Sequence, residues 1–318
     1  MLETNITLFD QNIVEPAHEM GAFEALWANG ISSFKQLHDK LHSSSSALPG
    51  AFINSKEAKI FYKKAVDALH ASGIEHFGIR VDQTVDYPDK LHDADYPLSF
   101  LYYQGDWNLV YTPGIAVVGT RHPSEAGITR TRKLVKALVD AGYTIYSGLA
   151  AGIDTIAHTT AIECAGRTVA VLGTPLNVPY PKENAALQAH IAKEHLVISQ
   201  APIVAYSEKG IDITRFFFPE RNKTMAALSD ATIIIEAGET SGTLIQAKAA
   251  LKQGRKVLIL NNNFENTTLR WPQQLEKKGA IRIYNVQDML SELMDEKKAT
   301  DHFHIRRSHH TEDRLQAE

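Results

Sequence analysis

A glycine, a threonine and an arginine follow the first long apolar run of the sequence. Gly119 ends that run, Thr120 and Arg121 come next, and Ser124 is placed to cap a helix. Backbone N–H groups at a helix start attract anions, and a neighbouring guanidinium adds two parallel donors for a phosphate. These residues therefore predict a phosphate-binding turn. A tight strand-to-helix turn with a solvated arginine explains the same pattern equally well.

Two glycines and a candidate acid–base pair follow the second apolar run. Gly148 and Gly152 permit close backbone approach, and Asp154 and His158 stand one helical turn apart. The pair has the residue types of an acid–base or metal site, but two ligands without a third do not hold a metal ion. We therefore expect Asp154 to cap its helix and His158 to be a satisfied, half-buried residue, and we predict no metal site.

Three further segments combine small, cationic or aromatic residues. Lys182 and Asn184 open a helix after the third run, where they are placed to contact phosphate or sugar. Aromatic rings beside cations suit unstacked bases, and a glycine between hydroxyl residues forms another anion-binding turn. The alternatives are a solvated charge, core aromatics and a capped turn. The segment with an aromatic ring beside cations contains Phe218, Arg221, Asn222 and Lys223. The turn with a glycine between hydroxyl residues contains Ser241, Gly242 and Thr243.

The elements that position these residues alternate between short apolar runs and amphipathic segments. Uninterrupted apolar strands separated by helices predict a parallel sheet covered on both faces, which is an α/β doubly wound fold. Ligands bind outside the carboxyl ends of the strands in such sheets, and the segments described above begin there. The predicted strands are 115–119, 143–148, 168–173, 195–199, 231–237 and 256–260.

Regions of different composition flank these strands. Residues 1–72 carry apolar residues at spacings of three and four, which predicts a small helical N-terminal domain. The doubly wound domain extends over 73–290, and its stretch 74–114 is predicted to be irregular. Residues 291–318 are polar and predict a flexible tail.

Composition and missing motifs exclude several classes of protein. With 318 residues and a net charge of −4, the chain has no uniformly basic surface, although a local basic patch is compatible with this balance. The single cysteine, the absence of a signal peptide and the absence of a membrane span predict a cytoplasmic protein. The chain also has no P-loop, no dinucleotide fingerprint and no nucleophile elbow, which argues against P-loop proteins, dinucleotide dehydrogenases and common nucleophilic hydrolases.

Taken in order, the motifs resemble those of the DNA-processing protein A family, also called DprA or Smf. The similarity covers about residues 73–260 and is specific as an ordered set, whereas each motif alone is weak. The most specific match is SGLAAGID at 147–154. The other matching motifs are YP at 87–88, VVGTR at 117–121, YPKEN at 180–184, FPERNK at 218–223, LSDATIIIEAGETSGTL at 228–244 and GRKV at 254–257.

That resemblance implies a Rossmann-like domain that binds single-stranded DNA, forms a homodimer and helps to load a RecA-type recombinase. It implies neither catalysis nor a cofactor. The chain departs from the family after its last predicted strand, where three asparagines at 261–263 replace a proline-glycine pair. From the motif match and the residue types together, the predicted DNA-binding residues are Gly119, Thr120, Arg121, Gly148, Gly152, Lys182, Asn184, Phe218, Arg221, Asn222, Lys223, Ser241, Gly242 and Thr243.

Two other interpretations of the same sequence stay open. A nucleotide-binding or nucleotide-hydrolysing enzyme of a related Rossmann-like family would use Glu236 as an acid and Asp154 as a second one. The cationic motifs at 180–184 and 218–223 favour DNA, because a small nucleotide does not need two extra cationic edges. A scaffold without a ligand is the third interpretation, and the intact glycine-hydroxyl turns argue against it.

Overall fold

Three helices precede the sheet in the structure, a computed structural model that describes residues 14–43, 48–208 and 216–294. They are α1 (Pro16–Ala28), α2 (Phe34–Leu41) and α3 (Ser55–Ala71). Ser33 caps α2 and Asn54 caps α3, each accepting a hydrogen bond from the backbone N–H three residues further on. The helical N-terminal region that the spacing of apolar residues predicts is therefore present.

A nine-stranded sheet forms the centre of the described structure, in the order β1-β2-β6-β5-β4-β3-β7-β8-β9. From β3 the chain winds outward through β4, β5 and β6, then returns to the other side of β3 and continues through β7, β8 and β9. The strands are β1 (Gly78–Val81), β2 (Phe100–Gly105), β3 (Gly114–Val118), β4 (Thr144–Ser147), β5 (Thr168–Leu172), β6 (Leu196–Ser199), β7 (Ala231–Ile234), β8 (Lys256–Leu260) and β9 (Ile281–Ile283).

Helices cover both faces of this sheet, so the predicted doubly wound Rossmann-like fold is confirmed. Strands β3 to β9 pair in parallel, and every residue of β3 to β7 is buried, as expected for a sheet with two covered faces. The helices are α4 (Glu125–Asp140), α5 (Ile153–Glu163), α6 (Ala185–Glu194), α7 (Ile203–Glu208), α8 (Phe217–Leu228), α9 (Thr243–Lys252), α10 (Asn262–Glu265), α11 (Trp271–Glu276) and α12 over 286–294.

The stretch 74–114, predicted to be irregular, contains two strands, so that prediction was wrong. Strands β1 and β2 pair antiparallel, and β2 pairs antiparallel with β6, which makes the sheet mixed at this edge. Their signal in the sequence is weak because each strand is short and 3-10 turns at 89–93 and 107–111 interrupt the segment. The partner of β2 lies about ninety residues away, and no local pattern encodes that pairing.

The N-terminal helices share one hydrophobic core with the sheet. The ring of Phe23 on α1 stacks on Phe100 of β2 with centroids 4.8 Å apart. Glu24 is fully buried beside it and accepts hydrogen bonds from the Tyr102 hydroxyl at 2.6 Å and from the Ile203 and Val204 N–H groups at 2.7 and 2.9 Å. The division into domains at residue 72 stays a prediction, because residues from both sides of it form this core.

The C-terminal part of the described chain closes one face of the sheet. Met289 and Leu293 of α12 are buried against it. The predicted tail, 291–318, lies outside the described residues from 295 onward. Within the described ranges, no helix has both the length and the apolar composition that crossing a bilayer requires.

Candidate nucleic-acid interface

A cavity of about 460 Å³ opens at the carboxyl ends of β3 and β7, between which the strand order reverses. Doubly wound sheets bind ligands at such a reversal, because the helices on either side diverge and leave a crevice. Eight of the predicted DNA-binding residues line this cavity, and they come from three separate segments of the sequence. They are Gly119, Thr120, Arg121, Arg221, Asn222, Ser241, Gly242 and Thr243.

The turn after β3 brings Arg121 to the rim of the cavity. The Thr120 N–H donates to the Glu236 carbonyl at 2.7 Å, which continues the pairing of β3 with β7. Only glycine fits at position 119, since a Cβ there would lie 2.6 Å from the Ile153 side chain. The turn is thus held tightly on its inner side, while the Arg121 side chain is exposed.

Arg221 forms the floor of the cavity and is 94% removed from solvent, with a relative exposure of 6%. Its Nη1 donates to the carbonyl oxygens of Gly148 and, at 2.5 Å, Val171, which are at the ends of β4 and β5. A side chain at position 148 would collide with the guanidinium, because a Cβ there would lie 2.3 Å from Nη1. Gly148 therefore serves the site by making room for a buried cation.

Burial and neighbouring charges set the pKa values of Arg221 and of Asp154. Loss of water lowers the pKa of Arg221 to about 10; the carboxylate of Asp154 opposes that shift and the positive charge of Arg121 adds to it. The pKa of Asp154 is raised by burial, against the effect of Arg221. Two guanidinium groups therefore repel each other across one cavity, and an anion placed between them would stabilise both.

The start of α9 closes the opposite wall. Asn222 links it to the arginine: its Oδ1 accepts from Arg221 Nε at 2.9 Å, and its Nδ2 donates to the Gly242 carbonyl at 3.1 Å. The Ser241 hydroxyl accepts from the Thr243 N–H at 3.2 Å and so orders the first turn of the helix. The partial positive charge of this helix start faces the same cavity as the two arginines.

The loop between β4 and α5 is held by Asn184. Its amide donates to the Leu149 carbonyl and to the Thr155 hydroxyl, both at 2.8 Å, and the residue is buried. Leu149 has a positive φ of 58° and Gly152 one of 77°, so the loop adopts a conformation that needs such support. Asn184, predicted to contact DNA, thus directs its amide into the protein and fixes the loop beside Arg221.

Lys182 and Phe218 lie beyond the end of β5 and are not among the residues that line the cavity. Lys182 is exposed. The Phe218 ring packs over Gly173, where a Cβ would lie 2.4 Å away, and contacts Tyr180 with centroids 5.1 Å apart. A cation and two partly exposed rings therefore form a second surface on the same edge of the sheet.

Lys223 is separated from the other predicted residues. Its Nζ pairs with Glu220 at 2.7 Å and lies 5.8 Å from the centre of the Tyr96 ring. It lines a different, smaller pocket together with residues of α9 such as Lys248. The helical turn that carries Arg221 inward directs Lys223 away, so the structure does not bring Lys223 to the cavity.

The candidate acid–base residues are engaged inside the protein. Asp154 accepts from the Gly148 N–H at 3.2 Å, so it closes the loop, whereas Gly152 is the N-cap of α5; the predicted capping role was wrong. His158 is fully buried rather than half-buried, its Nδ1 lies 2.7 Å from the Thr168 hydroxyl, and burial lowers its pKa to about 3. Among the described residues no three metal-ligating side chains come together.

Glu236 closes the start of α4. Its carboxylate accepts from the Ser124 hydroxyl at 2.8 Å and from the Ser124 N–H at 3.3 Å. The same hydroxyl accepts from the Gly127 N–H at 3.0 Å, as the predicted cap requires. Glu236 is therefore used to fix the helix that follows the Arg121 turn.

Sequence reasoning missed part of the cavity wall. Four of the missed residues lie inside the matching motifs and three follow a motif by one or two residues, and this position is the signal that could have found them. They are Val118, His122, Ala150, Met225, Gly238, Thr240 and Gln246.

The family model of DNA recombination-mediator protein A matches residues 79–294. This chain belongs to that family. Among family members, the Smf protein of Synechocystis sp. is 40% identical over 212 residues, which make up 65% of this chain and 52% of that relative. The chain thus matches about half the length of this relative.

Two solved structures of the family share the fold. DNA processing protein A from Streptococcus pneumoniae aligns with a TM-score of 0.62 at 29% identity, over 87% of this chain and 93% of that one. DNA processing protein A from Helicobacter pylori, whose structure gives insight into a single-stranded DNA binding mode, aligns with a TM-score of 0.58 at 29% identity, over 70% and 98%. The family resemblance of the ordered motifs is confirmed.

Proposed function

We propose that this protein binds single-stranded DNA along the carboxyl edge of its sheet and acts in DNA recombination without catalysing a reaction. The observation that carries the proposal is the cavity in which exposed Arg121, buried Arg221 and the start of α9 converge. The chain itself provides two cations and the partial positive charge of a helix start there. The Helicobacter pylori relative supports DNA as the ligand, because its structure concerns a single-stranded DNA binding mode.

Each predicted residue has a role in this proposal. Arg121 and the backbone of the two glycine-hydroxyl turns hold a phosphate, and Lys182 holds another beyond the end of β5. The rings of Tyr180 and Phe218 stack on a base, which is worth about 1–3 kcal/mol per base in other proteins. Gly148, Gly152, Asn184, Arg221 and Asn222 shape and order the cavity, and Lys223 pairs with Glu220 on the helix that carries Arg221.

The two acids that a nucleotide-hydrolysing enzyme would need are both hydrogen-bonded inside this protein, which supports binding without catalysis. Glu236 already accepts two hydrogen bonds from Ser124. Asp154 is buried and accepts from the backbone of its own loop. A general base must reach its substrate's proton within hydrogen-bond distance. We propose no cofactor.

The partners are proposed from the family. A RecA-type recombinase, loaded onto the bound strand, is the partner that the resemblance implies, and a homodimer is the implied assembly. We place this activity in the cytoplasm, in DNA uptake by natural transformation or in related DNA processing. The family model, whose description names a recombination mediator, covers the whole of the candidate interface.

A comparison of ligands tests the proposal. We expect oligo-dT to bind more tightly than a duplex of equal length, because stacked bases cannot reach Phe218 or enter the cavity. Filter binding with oligo-dT, duplex and nucleoside monophosphates measures this preference. Equal affinity for oligo-dT and duplex at moderate salt contradicts it. Release of free base from a monophosphate by the wild type, lost in Glu236→Gln, would establish the enzyme instead.

A further inference from the structure

The middle of α4 carries three cations whose charges the described structure leaves uncompensated. Arg132 and Lys133 are exposed and Arg130 is partly exposed. None of the three has an ion-pair partner among residues 14–43, 48–208 and 216–294. The C-terminal end of the same helix is different, since Lys136 pairs with Asp140 at 2.9 Å.

These cations contribute nothing evident to the packing of the helix. The buried face of α4 consists of other residues, including Leu134, Val135 and Leu138. Arg130 and Lys133 are three residues apart and therefore neighbours on the helix surface, where like charges repel and mildly destabilise the helix. The chain as a whole is acidic, with a net charge of −4, so this cationic stretch runs against the average.

The position of the stretch relates it to the cavity. Helix α4 begins at Glu125, four residues after Arg121, and Glu236 holds its first turn against the end of β7. With a rise of about 1.5 Å per residue, Arg130 and Lys133 lie roughly 8 and 12 Å along the helix from its first residue. The cations thus lie along α4 at increasing distance from the rim of the cavity.

We propose that a single strand seated at the cavity continues along the exposed face of α4, where Arg130, Arg132 and Lys133 contact its phosphates. This inference rests on the proposed function, and it adds a second contact region that the glycine-hydroxyl motifs do not include. The contacts are made to the backbone, so they lengthen the binding site without reading sequence. A strand too short to leave the cavity does not use them.

Two triple variants with equal charge change test this path. The first combines Arg130→Gln, Arg132→Gln and Lys133→Gln on α4. The control combines Lys56→Gln, Lys59→Gln and Lys64→Gln on α3, where all three lysines are exposed, have no ion-pair partner in the described ranges, and lie on the N-terminal helices rather than at the cavity. Each is titrated with oligo-dT of about 4 and about 20 nucleotides, which span the range of known site sizes.

For the α4 variant we expect about tenfold weaker binding of the long strand, unchanged binding of the short strand, and a plot of log affinity against log salt that is flatter by about 2. That change follows from three phosphate contacts at about 0.7 each. The α3 control should bind both strands like the wild type. Thermal melting confirms that both variants fold, and Arg132→Glu alone should repeat the length-dependent loss.

Three results would overturn the inference. Equal losses in the α4 and α3 variants indicate a general charge effect, and an unchanged salt slope for the long strand shows that α4 makes no phosphate contact. A loss that is equal for short and long strands places the α4 cations at the cavity itself. A wild-type protein that binds neither strand refutes the proposed function, which is a different outcome from a failure confined to α4.

Discussion

The starts of helices α7 and α9 differ in whether a side chain of this protein supplies the anion that their N–H groups attract. At the start of α7, the Ile203 and Val204 N–H groups donate to the buried carboxylate of Glu24. At the start of α9, the neighbouring side chains that reach the cavity include Arg121 and Arg221, which are cations. The first arrangement is complete within the chain, whereas at the second two arginines face one carboxylate, that of Asp154. The second therefore has an excess of positive charge, which suits an anion from outside.

The charged side chains at the two sites also differ in burial. Glu24 is fully buried between the N-terminal helices and the sheet, so its hydrogen bonds stabilise the fold. Arg121 is exposed at the rim of an open cavity, so its interactions are available to a ligand. Substitutions in the first region should change stability and leave binding intact, and substitutions in the second should do the reverse. Four measurements test this contrast between residues that affect stability and residues that affect binding.

The largest effect is expected for Glu24→Ala. The change leaves the Tyr102 hydroxyl and the Ile203 and Val204 N–H groups buried without their acceptor, which should reduce the free energy of unfolding by about 3–5 kcal/mol. Urea denaturation measures the loss. The matched control is Glu57→Ala, because Glu57 is a less buried acid of the same region and should change stability by about 1 kcal/mol or less. A Glu24→Ala protein as stable as the control would show that α7 does not depend on this carboxylate.

A pH titration of stability should give the next largest effect. Burial raises the pKa of Glu24 from 4.5 to about 7, so the folded protein binds this proton more tightly than the unfolded chain does. Its contribution to stability is therefore fully present below pH 4.5 and is lost as the pH rises through about 7, by an amount on the order of 3 kcal/mol. Urea denaturation at several pH values should show this decline in the wild type and a weaker one in Glu24→Gln. Parallel curves for the two proteins would contradict it.

Arg121→Ala should weaken oligo-dT binding by about 1.5–3 kcal/mol, because a charge-assisted hydrogen bond to phosphate is lost. The slope of log affinity against log salt should fall by about 0.7, the contribution of one phosphate of a single strand. The melting temperature should not change, since the side chain is exposed. Arg167→Ala is the control, an exposed arginine at the amino end of β5 that donates to the Gly142 carbonyl. Normal affinity and a normal salt slope in Arg121→Ala would show that the turn after β3 does not bind a phosphate.

Lys182→Ala should have the smallest effect, in the same direction as Arg121→Ala. A lysine is a point charge without the planar fork of arginine, so we expect a loss of about 1 kcal/mol and a similar change in salt slope. Lys193→Ala removes an exposed lysine of α6 and serves as the control. If Lys182→Ala exceeded Arg121→Ala in its effect on binding, the surface formed with Tyr180 and Phe218 would be the main site and the cavity secondary.

Much of the fold and part of the site could be predicted from the sequence, because parallel strands impose a geometric rule. Their carboxyl ends meet at one edge, so Gly119, Thr120 and Arg121 were expected on the same edge as Ser241, Gly242 and Thr243. The pairing of β3 with β7 then makes the two turns neighbours despite more than a hundred intervening residues. The apolar runs also located β3 to β8 within a few residues. The antiparallel strands β1 and β2 could not be found in this way, since both are short, 3-10 turns interrupt their segment, and β2 pairs with β6 about ninety residues away.

The residue types at the strand ends follow from the sequence alone: glycines that allow close approach, hydroxyl groups, and the cations of the motifs. The direction in which each side chain points depends on the tertiary fold. Arg221 turns inward to the Gly148 and Val171 carbonyls, whereas Lys223, two residues later, pairs with Glu220 outside the cavity. The reason is that the partners of a buried polar group are supplied by segments far away in the chain, and they are chosen by packing and by the need to satisfy every buried donor and acceptor.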